Sequence, residues 1–266
     1  MVAIKSKSKL KLKFRRQRFT ELTDSQWQVI KDLVDNGRKR KYDLRHILNA
    51  ILKITRTGMQ WRNLDEKYPP WRIVYYYFRK WIKTGVFYQI LLLLVQLERQ
   101  KLGRHPQPSA CAIDSQSVKK GSFVSLDCGF DGNKKINGRK RHIVVDTLGL
   151  PFAFFVSAAN LPDGKMGIEL FAQMEQASTR LELIRTDNAY TGYFTECATY
   201  FHWVVEPTQK PESVKGFVPQ TGRWQVERSF AWLNFFRRLS KDYEKTVESS
   251  VAFMQLAFID IIISKI

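Results

Sequence analysis

The spacing of the apolar residues changes once along this 266-residue chain, and that change limits the folds that it can adopt. Between residues 20 and 102, apolar side chains recur every three or four positions, as on one face of a helix. From residue 110 onward, short apolar runs alternate with turn signals, which is typical of strands. The intervening GRHPQPS at 103–109 has the composition of a linker. The sequence therefore predicts two units, one all-helical and one built on a sheet.

Start and stop signals divide the first unit into four helices. Thr23 and Gln26 have the spacing of a capping box, and Gly37 ends the helix that they open. Gly58 ends a second helix from about Asp43. The third and fourth helices are predicted at about 71–84 and 87–101. We expect residues 20–102 to form a helical, helix-turn-helix-like domain that binds DNA.

The second unit, residues 108–266, is predicted to have the element order β-β-β-α-β-α-β-α. This order is that of the ribonuclease-H-like fold, an α/β fold in which helices flank a mixed sheet. Asp114 is predicted to end the first strand, Ala110 to Asp114. Asp187 follows the fourth strand, Leu181 to Thr186, which we place beside the first. Glu227 lies in the first turns of a late helix, from Arg223 to about Leu239.

These three acids are candidate metal ligands. Sites in open α/β sheets form beyond the carboxyl ends of strands, and a hard divalent cation prefers carboxylate oxygens. Two such ions can activate an attacking oxygen and stabilise a leaving one in phosphoryl transfer. The pattern alone leaves other interpretations open. Glu227 has the spacing of an ion pair with Arg223 on a solvated helix, and Asp114 and Asp187 could be turn or capping residues.

The charge of the chain points to a polyanionic partner. It contains 44 Lys and Arg against 25 Asp and Glu, a formal charge of +19. Eight of these cations fall in residues 1–18, so we expect residues 1–19 to be a disordered basic arm. A membrane surface is the alternative polyanion, but no apolar stretch has the length of a membrane span. Three widely spaced cysteines argue against a disulfide framework or zinc site and favour a cytoplasmic setting.

Further basic residues are candidate DNA contacts. They are Lys134, Lys135, Arg139, Lys140 and Arg141 in one basic loop, with Arg223, Arg237 and Arg238 near the third acid. For His142 the sequence leaves two interpretations open: a contact with phosphate or the metal site, or a satisfied, half-buried side chain. Other acids, at positions 127, 131, 146 and 163, are predicted to be loop or turn residues. The sequence does not separate core from groove-facing roles for Tyr75, Tyr76 and Tyr77.

Five ordered motifs resemble one known family. They are RKYDLRHILNAILKITRTGMQWRNL (40–64) with PPWRIVYYYFRKW (69–81), AIDSQSVK (112–119), GRKRHIVVDTLGLP (138–151), RTDNAYTG (185–192) and RWQVERSFAWLNFFRRLSKDYE (223–244). Together they are similar to the insertion-sequence-five family of bacterial DDE transposases, over nearly the whole chain. The resemblance places Asp114, Asp187 and Glu227 at the three carboxylates. Pro162 stands where many relatives have His, and Gln220 and Asn234 stand where related families have Tyr and Lys.

The resemblance implies an enzyme that binds the terminal inverted repeats of its insertion sequence, cuts DNA and joins the freed strand to target DNA. It also implies two Mg²⁺ or Mn²⁺ ions on the three carboxylates. A homodimer or larger assembly on double-stranded DNA, associated with the bacterial nucleoid in the cytoplasm, is expected. Two alternatives are a non-catalytic DNA-binding regulator and a nuclease of the same fold that lacks strand joining.

Overall fold

A computed structural model describes residues 19–208 and 224–266. The helices are α1 Asp24–Val34, α2 Leu44–Thr57, α3 Trp71–Lys83, α4 Val86–Lys101, α5 Asp163–Gly167, α6 Phe171–Ala177, α7 Tyr193–Thr199, α8 Trp224–Leu233 and α9 Val247–Ile263. The strands are β1 Ala110–Lys119, β2 Gly129–Asp131, β3 Ile136–Asp146, β4 Pro151–Ala158, β5 Leu183–Thr186 and β6 Val204–Pro207. The predicted basic arm, apart from residue 19, lies outside the described residues.

The four predicted N-terminal helices are confirmed as α1 to α4. The Thr23 hydroxyl accepts from the Gln26 backbone N–H, and the Gln26 side chain accepts from the Thr23 backbone N–H, so the predicted capping box is present. Gly58 ends α2 with φ +71° and donates its N–H to the Ile54 carbonyl. A Cβ at Gly58 would also lie 3.0 Å from Arg237, so both conformation and space favour glycine here.

Six strands form one mixed sheet. The order is β4-β3-β1-β5-β6, and β2 pairs with the start of β3. Strands β1, β5 and β6 are parallel, and β3 runs antiparallel to β1 and β4. Three antiparallel strands followed by two parallel ones, with helices on both faces, make the predicted ribonuclease-H-like arrangement. The placement of the strand before Asp187 beside the first strand is confirmed.

Several predicted element boundaries were wrong. The first strand does not end at Asp114 but continues to Lys119, because β3 begins at Ile136 and pairs with β1 as far as Gly138. A Cβ at Gly138 would lie 1.9 Å from the Val118 carbonyl oxygen, so this close pairing requires glycine. The predicted helix at 164–177 is instead α5, a 3₁₀ turn at Ile168–Leu170, and α6.

The helix that carries Glu227 is shorter than predicted. It ends at Leu233 rather than near Leu239, because Phe236 has an extended backbone and inserts its fully buried ring into the core. The Arg56 guanidinium of α2 lies 4.7 Å from the centre of that ring. Arg238 therefore does not share a helix face with Glu227, contrary to the prediction from spacing.

The helical unit and one face of the sheet share a hydrophobic core. Buried side chains of α1 to α4 belong to the same cluster as Ala112, Ile143 and Phe154 of the sheet and most of α9. A second cluster lies on the opposite face and is built from α6, α7 and residues such as Ile113 and Val144. The sheet is thus covered on both sides. In the two described segments, no helix combines the length and apolar character needed to cross a membrane.

Candidate active site

The parallel pairing of β1 with β5 places Asp114 and Asp187 at corresponding positions along two neighbouring strands. Ala112 of β1 pairs with Arg185 of the parallel strand β5. Asp114 lies two residues beyond Ala112, and Asp187 lies two residues beyond Arg185, so both stand at the carboxyl side of this ladder. Neighbouring strands are about 4.8 Å apart. The arrangement places two carboxylates together at the edge where open α/β sheets form their sites.

Local hydrogen bonds orient both carboxylates. Asp114 Oδ1 accepts from the Ser115 backbone N–H at 2.7 Å. Asp187 caps the 3₁₀ turn Asn188–Tyr190, with its Oδ1 accepting from the Ala189 N–H at 2.9 Å. One oxygen of each acid is thereby held by the backbone. Capping, which the sequence left open for Asp187, is present and is compatible with a second role for the carboxylate.

Asp163, which was predicted to be a loop or turn residue, joins these acids. It begins α5, and its Oδ1 accepts from the Ser115 hydroxyl at 2.8 Å and from Lys140 Nζ at 3.0 Å. Lys140 Nζ also donates to the Leu161 carbonyl at 2.9 Å. The contact between Ser115 and Asp163 spans 48 residues of sequence, so no local pattern could have indicated it.

Tyr190 is buried close to the same acidic residues. Its side chain is fully buried, and its hydroxyl has no hydrogen-bond partner among the described residues. Burial raises the pKa of Tyr190, and the charges of Asp114, Asp163 and Asp187 raise it further, while the nearby Ser115 hydroxyl acts in the opposite direction. Three carboxylates thus lie within electrostatic reach of one buried hydroxyl, which defines an acidic site at this end of the sheet.

Glu227 is exposed on α8, which packs on β1 and β3. Its neighbour Val226 belongs to the core that contains Ala112 and Ile143. Because side chains alternate along a strand, Asp114 lies on the Ala112 face, which is the face that α8 covers. Within residues 19–208 and 224–266, however, no three His, Cys, Asp or Glu side chains are close enough to hold one metal ion. The structure therefore assembles Asp114 and Asp187 and places Glu227 on the adjacent helix.

Arg139 and Arg141, two of the predicted DNA contacts, have partners inside the protein instead. Arg139 and Arg141 lie on the other side of β3 from Lys140 and are almost fully buried. Arg139 pairs with Asp242 at 3.3 Å and donates to the Glu244 carbonyl at 2.9 Å. Arg141 donates to the Leu239 carbonyl at 2.9 Å. Burial and these bonds remove both guanidinium groups from the surface, where a phosphate could reach them.

His142 is also buried, and its Nε2 lies 2.9 Å from the Ser157 hydroxyl. Burial lowers the pKa of His142 to about 4, with Lys140 acting in the same direction and Asp163 against it. The imidazole is therefore neutral near pH 7. The structure favours a buried side chain over the phosphate contact that the sequence left open, with Nε2 bonded and Nδ1 without a hydrogen-bond partner among the described residues.

The remaining basic candidates differ in exposure. Lys134, Lys135 and Arg237 are exposed, so they stay proposed DNA contacts. Lys140 is buried against Asp163, as described above. Arg238 is half-buried and pairs with Glu244 at 2.7 Å. Arg223 lies outside the described residues.

Two family models match this chain. Residues 105–259 match the model of a transposase DDE domain, and this match alone covers more than half of the chain. Residues 22–91 match a second model, described as "Putative transposase of IS4/5 family". The chain therefore belongs to the family of DDE-domain transposases, as the five motifs indicated, and its N-terminal part is similar to the IS4/5 model. This family membership implies a general dependence on divalent metal ions.

Two curated relatives match part of the chain. It is 34% identical over 79 residues to the uncharacterized protein y4sN of Sinorhizobium fredii, covering 28% of this chain and 63% of that protein. It is 28% identical over 126 residues to the "Putative transposase for insertion sequence element IS402" of Burkholderia cepacia, covering 45% of this chain and 60% of the relative. The chain spans about three-fifths of the length of these two relatives.

Two solved structures show a weak overall likeness. A pre-cleavage Mos1 transpososome matches with a TM-score of 0.30 and 11% identity, over 87% of this chain and 80% of that one. A Mos1 transposase paired-end complex with the left transposon end matches with a TM-score of 0.25 and 13% identity, over 65% of this chain and 61% of that one. At these TM-scores the likeness carries no weight, and the fold assignment rests on the sheet itself.

Proposed function

We propose that this protein is a DNA transposase that binds the terminal inverted repeats of its insertion sequence, cleaves the DNA there and joins the freed strand to target DNA. The observation that carries the proposal is the register of β1 and β5, which sets Asp114 level with Asp187 within a DDE domain. Phosphoryl transfer needs little covalent chemistry from the protein, so positioned carboxylates at a sheet edge suit it well.

The donor chemistry of this site fits a hard divalent cation. Asp114, Asp187 and, from α8, Glu227 would hold two Mg²⁺ or Mn²⁺ ions through carboxylate oxygens. Such ions, when bound, would lower the pKa of a coordinated water or 3′-hydroxyl and neutralise charge on the phosphate. The chain's own contribution is orientation. The Ser115 N–H orients Asp114 through its Oδ1, and the Ala189 N–H orients Asp187 through its Oδ1.

Helix α3 supports the DNA-binding part of the proposal. Its 13 residues contain no acid. Six side chains spaced along it form an exposed stripe: Arg72, Tyr75, Tyr76, Arg79, Lys80 and Lys83. The stripe extends over about 17 Å at 1.5 Å per residue. A helix of this size enters the major groove of a DNA duplex, and cations beside aromatic rings suit phosphates and sugar edges. Tyr75 and Tyr76 therefore face outward, whereas Tyr77 is half-buried against Trp81.

We further propose that the protein acts as a homodimer or larger assembly on its DNA, and so in the bacterial cytoplasm with the nucleoid. Two DNA ends must be brought together for strand transfer, and a symmetric assembly presents two equivalent sites. We also propose that residues 20–102 bind DNA in the manner of a helix-turn-helix domain. The connection between α3 and α4 is Thr84 and Gly85, while α2 and α3 are separated by residues 58–70.

One assay tests the proposed function against its two alternatives. The purified protein is mixed with terminal-repeat DNA, a labelled target duplex and Mg²⁺ or Mn²⁺. Metal-dependent cutting at the repeat, followed by labelled joint products, is the expected result. Cutting without joint products would identify a nuclease instead. Specific binding without any cutting under either metal would identify a DNA-binding regulator.

A further inference from the structure

Asp163 occupies an unusual position for a residue in the first turn of a short helix. Among the described residues, its carboxylate accepts no hydrogen bond from the backbone N–H groups of α5, and the preceding Pro162 provides no side-chain cap. Instead, both hydrogen-bond donors come from strands of the sheet, Ser115 of β1 and Lys140 of β3. Helix capping therefore does not explain this acid.

A chain of contacts connects Asp163 to two of the predicted metal ligands, Asp114 and Asp187. Ser115 donates its hydroxyl to Asp163 and its backbone N–H to Asp114 Oδ1. Gly164, next to Asp163, packs so closely on the Ala189 carbonyl that an added Cβ would lie 2.5 Å from that oxygen. The N–H of the same residue, Ala189, holds Asp187 Oδ1. The start of α5 thus touches the structures that orient both carboxylates.

A second glycine keeps α5 close to the site. A Cβ at Gly167 would lie 2.8 Å from the Tyr190 ring and 2.9 Å from the Phe194 ring. Both rings are buried and pack edge-to-face, 5.2 Å between centroids. The two rings therefore restrict the movement of this five-residue helix. Because α5 cannot shift to compensate, a substitution at Asp163 would change the contacts of Ser115.

We propose that Asp163 is a positioning residue of the metal site: by holding the Ser115 hydroxyl and anchoring α5 against the Asp187 turn, it fixes the separation and orientation of Asp114 and Asp187. This inference rests on the proposed function. Lys140 serves as the counter-ion that allows a carboxylate to sit in this position. Groups that orient metal ligands affect metal affinity by about 10- to 100-fold when they are removed, even though they do not touch the ion.

The chain offers a matched control on the same strand. Ser117, two residues beyond Ser115, donates its hydroxyl to the buried carboxylate of Asp131. Asp131 also accepts from the N–H groups of Asn133 and Lys134, as expected of a turn residue. Both serine–aspartate pairs join β1 to a neighbouring segment, but only the first lies beside Asp114. Asp131→Ala thus tests the loss of an equivalent bond away from the site.

The experiment measures Mn²⁺ binding by the full-length protein without DNA, using isothermal titration calorimetry and the electron paramagnetic resonance signal of free Mn²⁺. Asp163→Ala and Ser115→Ala should each weaken Mn²⁺ binding about 10-fold or more, while Ser115→Thr, which keeps the hydroxyl, should stay near wild type. Asp131→Ala should change the affinity by less than about twofold. Wild-type Mn²⁺ affinity in Asp163→Ala would overturn the inference.

A double variant separates positioning from charge balance. Asp163→Ala leaves the Lys140 ammonium buried without its counter-ion, which could lower the melting temperature by itself. Lys140→Met combined with Asp163→Ala removes both charges together with the acceptor for the Ser115 hydroxyl, and should recover the melting temperature. If the Mn²⁺ affinity stays low in the double variant, Asp163 acts by positioning. If the affinity returns with the stability, Asp163 only neutralises Lys140, and the inference is wrong.

Failure of the proposed function would look different. Asp114→Asn and Asp187→Asn are measured in parallel as the reference for loss of a ligand. If these two bind Mn²⁺ as the wild type does, the metal site itself is misplaced, whatever Asp163 does. If they lose binding while Asp163→Ala keeps it, the site stands and only the positioning role is lost.

Discussion

Arg99, near the end of α4, forms a buried ion pair with Asp146, at the end of β3. Asp146 also accepts from the N–H groups of Leu148 and Leu150 and so holds the turn into β4. Burial raises the pKa of Asp146, and Arg99 opposes this rise. A single charged contact therefore joins the helical unit to the hairpin of the sheet, across the linker that the sequence placed between two units.

We expect Arg99→Met to lower the free energy of unfolding by about 3–5 kcal/mol, because it leaves the Asp146 carboxylate buried without its partner. Urea unfolding followed by circular dichroism and tryptophan fluorescence measures this change. Arg104→Met, at an exposed site five residues on, is the control and should have little effect. Since the two units share a core, both probes should report one transition; two separated transitions would contradict that expectation.

The three carboxylates should be essential for cleavage and dispensable for DNA binding. Asp114→Asn, Asp187→Asn and Glu227→Gln each keep the shape of the side chain while removing its charge, so each should abolish cutting of terminal-repeat DNA. Gel-shift binding to the same DNA should stay within a few-fold of wild type. Cutting at the wild-type rate by any one variant would remove that residue from the site.

Asp127 provides the control for these substitutions. It is exposed, and its φ of +50° suits asparagine as well as aspartate. Asp127→Asn should therefore cut DNA as the wild type does. A loss of cutting there would show that charge removal anywhere in the catalytic unit is harmful. The loss of cutting in the three carboxylate variants would then no longer identify metal ligands.

The exposed stripe of α3 should set the salt dependence of DNA binding. Replacing Arg72 and Arg79 together by Ala removes two cations, so the slope of log K against log salt should fall by about two. At fixed salt, the affinity should drop about 10-fold or more. Lys31→Ala, on the exposed face of α1, should leave the slope unchanged. An unchanged slope in the α3 variant would assign DNA binding to another surface.

The buried His142 should make the protein sensitive to acid. Its pKa of about 4 in the folded protein lies below the value of 6.5 in the unfolded chain. The unfolded state therefore binds the proton more readily, and stability is lost as the pH falls from about 6.5 through about 4. The loss is on the order of 3 kcal/mol across that window. His142→Gln keeps a partner for Ser157 and should remove this component.

Urea unfolding at intervals between pH 7 and pH 4 measures the effect as the difference between wild type and His142→Gln. Lys140 and Asp163 also face this imidazole, so both must be kept in the comparison. A difference that does not depend on pH would mean that His142 takes up its proton equally readily in the folded and unfolded states. The side chain would then be accessible, and its role as a phosphate contact would have to be reconsidered.

The buried Tyr190 and the half-buried Tyr88 should respond differently to loss of their hydroxyls. The Tyr190 hydroxyl has no partner among the described residues, so Tyr190→Phe should leave the melting temperature unchanged or raise it. The Tyr88 hydroxyl donates to the Phe152 carbonyl at 3.0 Å, with the Gln173 carbonyl at 3.2 Å. Tyr88→Phe should therefore cost about 1 kcal/mol. A large loss of stability in Tyr190→Phe would reveal a hidden partner.

The sequence predicted those features that depend on neighbours in the chain. The capping residue Thr23 and the terminating Gly58 act locally, so the start of α1 and both ends of α2 were predicted almost to the residue. The predicted end of α1 at Gly37 was wrong, because the helix ends at Val34 with Asp35 as its C-cap. The two aspartates of the site were also predictable, because each follows or interrupts a short apolar strand. Their common level then followed from placing those strands side by side.

Features that depend on distant contacts were not predictable. Arg139 and Arg141 look like a basic loop, yet they are strand residues whose guanidinium groups bind carbonyls about 100 positions later. Asp163 looks like a turn residue because its partner Ser115 is 48 residues away. The alternation of Arg139 and Arg141 with Lys140 and His142 is a possible signal, since a strand buried on both faces sends such side chains to opposite sides.

Helix α9 has a consequence for the order in which the molecule is made. Its apolar residues complete the core around α2, α3 and α4, although more than 140 positions separate α9 from the end of α4. During synthesis, those early helices leave the ribosome and remain without their last packing partner until residues 247–263 have emerged. The exposed stripe of α3, which we propose binds DNA, is therefore fully supported only after the three carboxylates proposed to hold the metal ions have been made, so that the proposed recognition and chemistry become available together.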